Sequence, residues 1–350
     1  MKKSLCFIIG LVLSQACRQP HSTVSSQTGT AAVCRIMFWN AENLFDCEAD
    51  SMGRDVEFLP YGIRGWNKSR YSQKISNMYK VFIAAGDWNP PDLIGLCEIE
   101  NKNVLFDLLR NTPFSYYNYR FVHFDSPDRR GIDVALLYNP ETIEVIEEKA
   151  IPVSFTSSPD SKTRDILEVR VKLQTGDTLS VFINHWPSKY GGAGFTEDLR
   201  ENAAEILYSG ILKTCKLIPS VKIIVMGDFN DPPESDALSL LTRNRTQNGS
   251  DTAQLLVNLS QDYKGTIPGS YKFEGAWQMI DQVLVNENLV SGKKGVRIKS
   301  GSYKVFSPDF LLERDEKFGG MKPNRTYTGM VYHGGFSDHL PVIVDLYDEP

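Results

Sequence analysis

FWNAENLFD, residues 38–46, ends the first strongly patterned apolar run after the N-terminal segment on an Asn, a Glu and a second Asn. A lone polar cluster at a strand end reads most simply as a turn or cap, because Asn and Asp bond to nearby backbone. Whether it does more depends on whether other strands end the same way.

Short β-branched and aromatic runs recur along the chain: RIMFWN, DLIGLCEI, YRFVHF, DVALLYN, ILEVRVKL, LSVFINHW, VKIIVMGDFN, MIDQVLVN and LPVIVDLY. Each reads as a strand. IIVM and LIGL are continuously apolar, which predicts cover on both faces, whereas other runs alternate. Apolar residues returning at three- and four-residue intervals predict helices over 68–85 and 196–215. Two sheets packed face to face with helices outside satisfy both patterns. No internal repeat and no long polar linker interrupts residues 34–350, so one α/β domain is expected. The Gly- and Pro-rich stretches 44–66, 187–196 and 307–336 are expected to be irregular loops rimming a cleft.

At 350 residues and 41% hydrophobic, the chain can bury a large core. Its net charge of -5 gives no sign of the broad basic face that non-specific nucleic-acid binding usually needs.

MKKSLCFIIGLVLSQAC opens with two lysines, an apolar run over 5–13, and small and polar residues before Cys17. The run is too short to span a bilayer, so residues 1–17 read as an export signal. LSQAC resembles the end of a bacterial lipoprotein signal, in which Cys17 is lipidated and anchors the protein to a membrane of the cell envelope. Its leucine stands four residues before the cysteine rather than three, so plain secretion is the alternative. Residues 18–33 are polar and turn-rich, as a flexible tether would be. Beyond Cys6 and Cys17, Cys34, Cys47, Cys97 and Cys215 show no metal-binding spacing. Cys97 and Cys215 read as core; Cys34 and Cys47 either stay free or form a disulfide in an oxidising compartment.

Polar residues fall repeatedly at strand boundaries. Asn40 and Glu42 follow IMFW, Glu98 follows LIGLC, His185 follows VFIN, Asp228 and Asn230 follow IIVMG, Asp281 follows MI, and Asp338 and His339 precede LPVIV. One such residue is a cap; the recurrence weakens that reading. If these ends converge, they assemble oxygen donors for a hard divalent cation, two histidines, and acids to orient them, an inventory suited to phosphate-ester hydrolysis. Oxygen ligands without a Cys/His cluster favour Mg²⁺, Mn²⁺ or Ca²⁺ over Zn²⁺. Side-chain alternation would let Asn40 and Glu42 face one cleft.

FWNAENLFD, PDLIGLCEIEN, RGIDVALLYNP, FINHWPS, IVMGDFNDPP, MIDQVLV and GFSDHLPV, in this order over residues 38–344, resemble the motif series of the endonuclease/exonuclease/phosphatase superfamily, whose members include deoxyribonuclease I-like enzymes. The resemblance implies a four-layer α/β sandwich of two mainly antiparallel sheets flanked by helices. It implies Glu98 as principal metal ligand, assisted by Asn40, Glu42 and Asp338, and Asp228, supported by Asn230, activating the attacking water. His339 would be oriented by Asp281, and His185 would act as general acid or grip the phosphate. Apurinic-site endonucleases of the superfamily usually carry Asn where His185 stands, which points away from DNA repair and towards secreted nuclease-type members. Arg130, Lys189 and Arg325, with Arg129 and Lys322, are candidates for substrate contact.

The resulting expectation is an exported, metal-dependent phosphodiesterase acting on nucleic acid. A phospholipid hydrolase similar to sphingomyelinases, with 304–312 as an apolar membrane-inserting loop, is the rival enzyme. A non-catalytic surface binding protein is the rival outside enzymology, although no catalytic residue of the pattern is missing.

Overall fold

Strand β1 (Cys34–Leu44) is buried along nearly its whole length, as expected for a central strand. In this computed structural model, which describes residues 32–51, 53–155, 158, 160–189, 193–242, 246–247, 250–251, 256–292, 294–298 and 301–348, β1 pairs in parallel with β2 (Leu93–Ile99). Next to β2 come β4 (Asp133–Tyr138) and then β3 (Arg120–His123), both pairings antiparallel. On the other side of β1 runs β10 (Val342–Asp348), antiparallel, with Val296–Ile298 at the edge.

The second sheet repeats the scheme. Its parallel pair is β7 (Thr178–His185) and β8 (Lys222–Asp228), flanked by antiparallel β6 (Ile166–Leu173) and β5 (Ile143–Ile151) on one side. On the other lie antiparallel β9 (Asp281–Val285) and Val257–Asn258.

The two sheets pack face to face with helices outside, giving the expected four-layer α/β sandwich. Along β8, Ile224 and Met226 join the core between the sheets, while Ile223 and Val225 join a second core beneath α3 (Ala193–Leu217) and α4 (Asp236–Thr242). Cover on both faces is why IIVM is continuously apolar. Helix α1 (Lys68–Ala85) covers the first sheet, with Phe82 edge-on to Trp39. The Asn67 side chain caps it by accepting from the Ser69 and Arg70 N–H groups.

Some elements differ from the sequence reading. Helix α2 (Lys102–Arg110), capped by Asn101, is too short for its period to stand out. Strand β5 reads IEVIEEKAI because it lies at a sheet edge, where charged residues protect the open side. The 307–336 stretch is not simply irregular: Leu312–Arg314 pairs with Met321–Pro323, and Tyr327–Thr328 with Val331–Tyr332. These ribbons are too short to show alternation. Cys34 and Cys47 are both free thiols, so the bridge left open between them does not form. Residues Ala31–Pro350 make one compact unit. The expected signal segment, Cys17 and the tether up to residue 31 lie outside the described residues.

Candidate active site

The topology explains why the polar strand ends converge. In a parallel pair both strands finish at the same edge, and an antiparallel neighbour starts there. Glu98 therefore lies at the end of β2, Asn40 at the last regular pair of β1 before its register shifts, and the residues before Val342 beside them, since Val342 pairs with Phe38. In the second sheet His185 pairs with Asp228, and Asp228 with Asp281. Gly227 is required by this crowding: a Cβ there would stand 2.5 Å from the Asn184 carbonyl oxygen on β7.

Asp228 is the hub. Its Oδ2 accepts from the Asn40 amide at 3.0 Å and its Oδ1 from the Asn230 N–H at 3.0 Å. The same Oδ2 stands 3.7 Å from His185 Nε2 and 3.9 Å from His339 Nε2. His185 Nε2 is in turn 4.0 Å from Glu98 Oε1, and His339 Nε2 is 4.0 Å from Asp338 Oδ1. Each of these contacts is too long for a direct hydrogen bond.

The two histidines differ in charge. His339 Nδ1 shares a 2.7 Å hydrogen bond with Asp281 Oδ2, and Tyr271 stacks on the ring at 4.7 Å. Burial opposes the charge, but Asp281, Asp228 and Asp338 overcome it and lift the imidazole to about 10, so it is cationic at neutral pH. His185 is buried with Arg164, Arg130 and His339 around it, which push its imidazole well below 6.5 and keep it neutral. Among the described residues its Nδ1 has no hydrogen-bond partner. In this state it has one N–H donor and one acceptor nitrogen to offer. Burial raises Asp228 to about 7, with Asp281 adding to the rise and His339 opposing it. A base poised there suits proton abstraction from water near neutrality.

Glu98 sits at φ 60°, a left-handed conformation that costs a non-glycine residue energy and is held by its surroundings. Its Oε2 accepts the Asn43 N–H at 2.8 Å, and its Oε1 meets Arg130 at 3.1 Å. Burial would raise this carboxyl, but Arg130, His339 and the Asn43 N–H together hold it below its ordinary value. An ionised carboxylate among oxygen donors fits a hard divalent cation. Cys97, which lies close to His185 and Asp228, is buried and its thiol is pushed well above 9.0; a hard divalent cation prefers the neighbouring oxygen donors to its sulfur.

Glu42 departs from simple alternation. The backbone turns left-handed at Glu42 (φ 51°) and Asn43 (φ 55°), so the pleat is lost after Asn40. While the Asn40 amide meets Asp228, the Glu42 carboxylate accepts the Thr326 and Tyr327 N–H groups at 2.7 and 3.4 Å. Burial, with Asp338 nearby, raises it. Its carboxylate thus fastens 325–327 at the margin of the site.

The anticipated substrate cations are already paired. Arg325 bonds Asp338 at 2.9 Å, Arg130 bonds Glu98, and Lys189 bonds Asp231 at 3.1 Å. Lys322 pairs with Glu313, and Arg129 donates to the Asp160 carbonyl. The Asn230 amide donates to the Trp186 carbonyl, so Asn230 supports Asp228 through its backbone N–H alone.

Other residues of the site carried no signal of their own. Buried Arg164 bridges Asp128 to the His185 and Trp186 carbonyls, fixing the β7 end. Ser337 donates to the Asn40 carbonyl and accepts from the His339 N–H, joining the last motif to the first. Ser337 lies inside GFSDHLPV and was within reach of motif reading; Arg164 lies outside every motif.

Comparison with known proteins agrees with this fold. A search of curated sequences gave no match. Among solved structures, an endonuclease/exonuclease/phosphatase family protein from Bacteroides thetaiotaomicron superposes with a TM-score of 0.57 at 15% identity, covering 90% of this chain and 98% of that one. The human nocturnin catalytic domain with bound sulfate gives 0.53 at 14% identity, covering 92% and 97%. A mannosyl-6-phosphatase from Bacteroides thetaiotaomicron gives 0.55 at 14%, covering 89% and 99%. At these identities the likeness shows the fold alone. The sequence itself matches the model of the endonuclease/exonuclease/phosphatase family over residues 35–348, and the chain therefore belongs to that family of hydrolases.

Proposed function

We propose that the protein is an exported, divalent-metal-dependent phosphodiester hydrolase with nucleic acid as its substrate. The observation that carries the chemistry is the convergence of Glu98, His185, Asp228, His339 and Asp338, whose ring nitrogens and carboxylate oxygens stand 3.7–4.0 Å apart in turn. Asp228, oriented by the Asn40 amide, takes the proton of the attacking water. Cationic His339, held by Asp281, stabilises phosphoryl charge, and neutral His185 bonds a phosphoryl oxygen or the leaving oxygen. Glu98 would be the principal ligand of Mg²⁺, Mn²⁺ or Ca²⁺, with Asn40 and Asp338 as candidate helpers; the ion would supply positive charge to the phosphate and leaving group. Export rests on the N-terminal sequence, with lipidated Cys17 as the proposed membrane anchor.

The pairing of Arg129, Arg130, Lys189, Lys322 and Arg325 supports a second reading, in which the substrate is a small phosphoester or a lipid head group. Each of these five cations already has an acceptor among the described residues, which leaves them less available to the successive phosphates of a long polyanion. The loop proposed for bilayer insertion turns Val305 and Leu311 inward and leaves Phe310 outside.

The deciding assay incubates purified protein with supercoiled plasmid, bis(p-nitrophenyl) phosphate, sphingomyelin vesicles and sugar phosphates, each with Mg²⁺, Mn²⁺ or Ca²⁺ and with EDTA. EDTA-sensitive nicking is expected. Turnover of small esters without nicking selects the second reading, and full activity after chelation removes the metal.

A further inference from the structure

Residues 324–336 carry Arg325 to the site and are fastened from two elements. From β1, Glu42 holds the Thr326 and Tyr327 N–H groups. From α1, Lys74 Nζ donates to Thr326 Oγ1 at 2.7 Å and to the Phe336 carbonyl at 2.5 Å. One turn on, the Asn77 amide donates to the Gly334 and Gly335 carbonyls at 3.1 and 2.9 Å.

Lys74 is 1% exposed on a helix whose other task, covering the first sheet, needs only apolar side chains. Burying an ammonium costs several kcal/mol before its partners repay it, and a well-packed apolar residue often serves stability as well or better. Its partners therefore point to a task other than packing. That task is visible at Arg325, one residue from Thr326. Arg325 Nη2 bonds Asp338 Oδ2, while its Nε, 3.4 Å from Glu42 Oε1, makes no hydrogen bond. About a third of the side chain is exposed. A guanidinium presents five N–H groups in a planar fork that matches phosphate oxygens; here Nε is buried towards Glu42 and Nη2 bonds Asp338, and the remaining Nη donors are left in reserve beside the site.

We propose, building on the phosphoester reading above, that Lys74 is a positioning residue: by locking Thr326 and Phe336 to α1, it holds the Arg325 guanidinium where it meets a phosphoryl oxygen of the substrate. Asp338, the other partner of Arg325, precedes His339, so the lock also ties α1 to the last motif.

The test is a double-mutant cycle on the purified enzyme with bis(p-nitrophenyl) phosphate, using Lys74→Met, Arg325→Ala and the double variant. Each single change is expected to raise KM about tenfold with kcat within about threefold, and the double variant to match Arg325→Ala alone. KM effects that multiply, or a Lys74→Met loss confined to kcat, would overturn the coupling. Hydrogen exchange decides the lock without activity: amides over 324–336 should exchange about tenfold faster in Lys74→Met while β7 and β8 stay protected. Unchanged exchange there refutes the lock. If Lys74→Met does not fold, Thr326→Val removes one acceptor with Lys74 in place, and a KM rise of about threefold is expected; no rise counts against the lock. If the wild-type protein hydrolyses nothing, the phosphoester reading fails, and inorganic phosphate binding then replaces KM in the same cycle. Equal weakening by Lys74→Met and Arg325→Ala supports the positioning role, and independent weakening refutes it.

Discussion

Asp281→Asn preserves the shape of a fully buried side chain and removes the charge that most lifts His339. In the native site that imidazole rises from 6.5 to about 10. The rise corresponds to on the order of 5 kcal/mol favouring the cation, shared among Asp281, Asp228 and Asp338. Without the Asp281 charge, burial is opposed only by the other two carboxylates, and the ring should titrate lower; a fall of about three units would bring it near 7. At pH 8 the charged fraction then falls from nearly all to about one tenth, and at pH 6 it stays near nine tenths. An Asn can also present its amide to Nδ1 and select the wrong tautomer, a loss that does not depend on pH over this range. The assay is kcat/KM against bis(p-nitrophenyl) phosphate from pH 6 to 9 for both proteins, with NMR titration of the His339 ring. The wild-type to variant ratio should grow about tenfold between pH 6 and 8. A constant ratio would mean that Asp281 only holds the ring in place and that the charge of His339 contributes nothing.

Glu98→Gln keeps the hydrogen-bond acceptor but removes the charge a metal would need; activity should fall about a thousandfold, with the Mg²⁺ concentration for half-activity rising about tenfold or more. An unchanged Mg²⁺ titration would move the ion elsewhere. Asn40→Ala removes the amide that orients Asp228, and kcat should fall about ten- to a hundredfold, with the acid limb of the pH profile moving up because a hydrogen bond to the ionised carboxylate is lost; an acid limb left in place would count against that role. For stability in metal-free buffer, the sign follows from His339. Its folded value lies above its unfolded one, so its contribution is complete below pH 6.5 and disappears as pH rises towards about 10. Urea unfolding from pH 6 to 10 should show that decline in the wild type and a flatter curve in Asp281→Asn; parallel curves would contradict the assignment.

The strands were legible because alternation and continuous apolarity are local consequences of one-sided and two-sided burial. Helix α1 was legible to its last residue, since a long amphipathic period is also local. Strand β5 and helix α2 were not: an edge strand carries charges like a loop, and nine residues show too little period. The same limit hid the ribbons in 307–336. Within the site, strand-boundary position singled out Asn40, Glu98, His185, Asp228, Asp281 and His339, which the fold brings together. At Glu42 two left-handed residues interrupt the alternation on which the shared-cleft expectation rested, and the carboxylate stands at the margin of the site beside Arg325.

By itself, the sequence determined which residues could end a strand and offer an oxygen or a nitrogen there, because that depends on neighbours a few positions away. Which of those ends meet was decided by the pairing of β1 with β2 and of β7 with β8, contacts between segments about 40 to 60 residues apart that no local pattern encodes. The charges were decided there too. His185 and His339 are the same side chain in the same cleft, yet one is neutral beside arginines and the other cationic against Asp281. Protonation depends on burial and on charges within a few ångströms, and only the folded chain sets both.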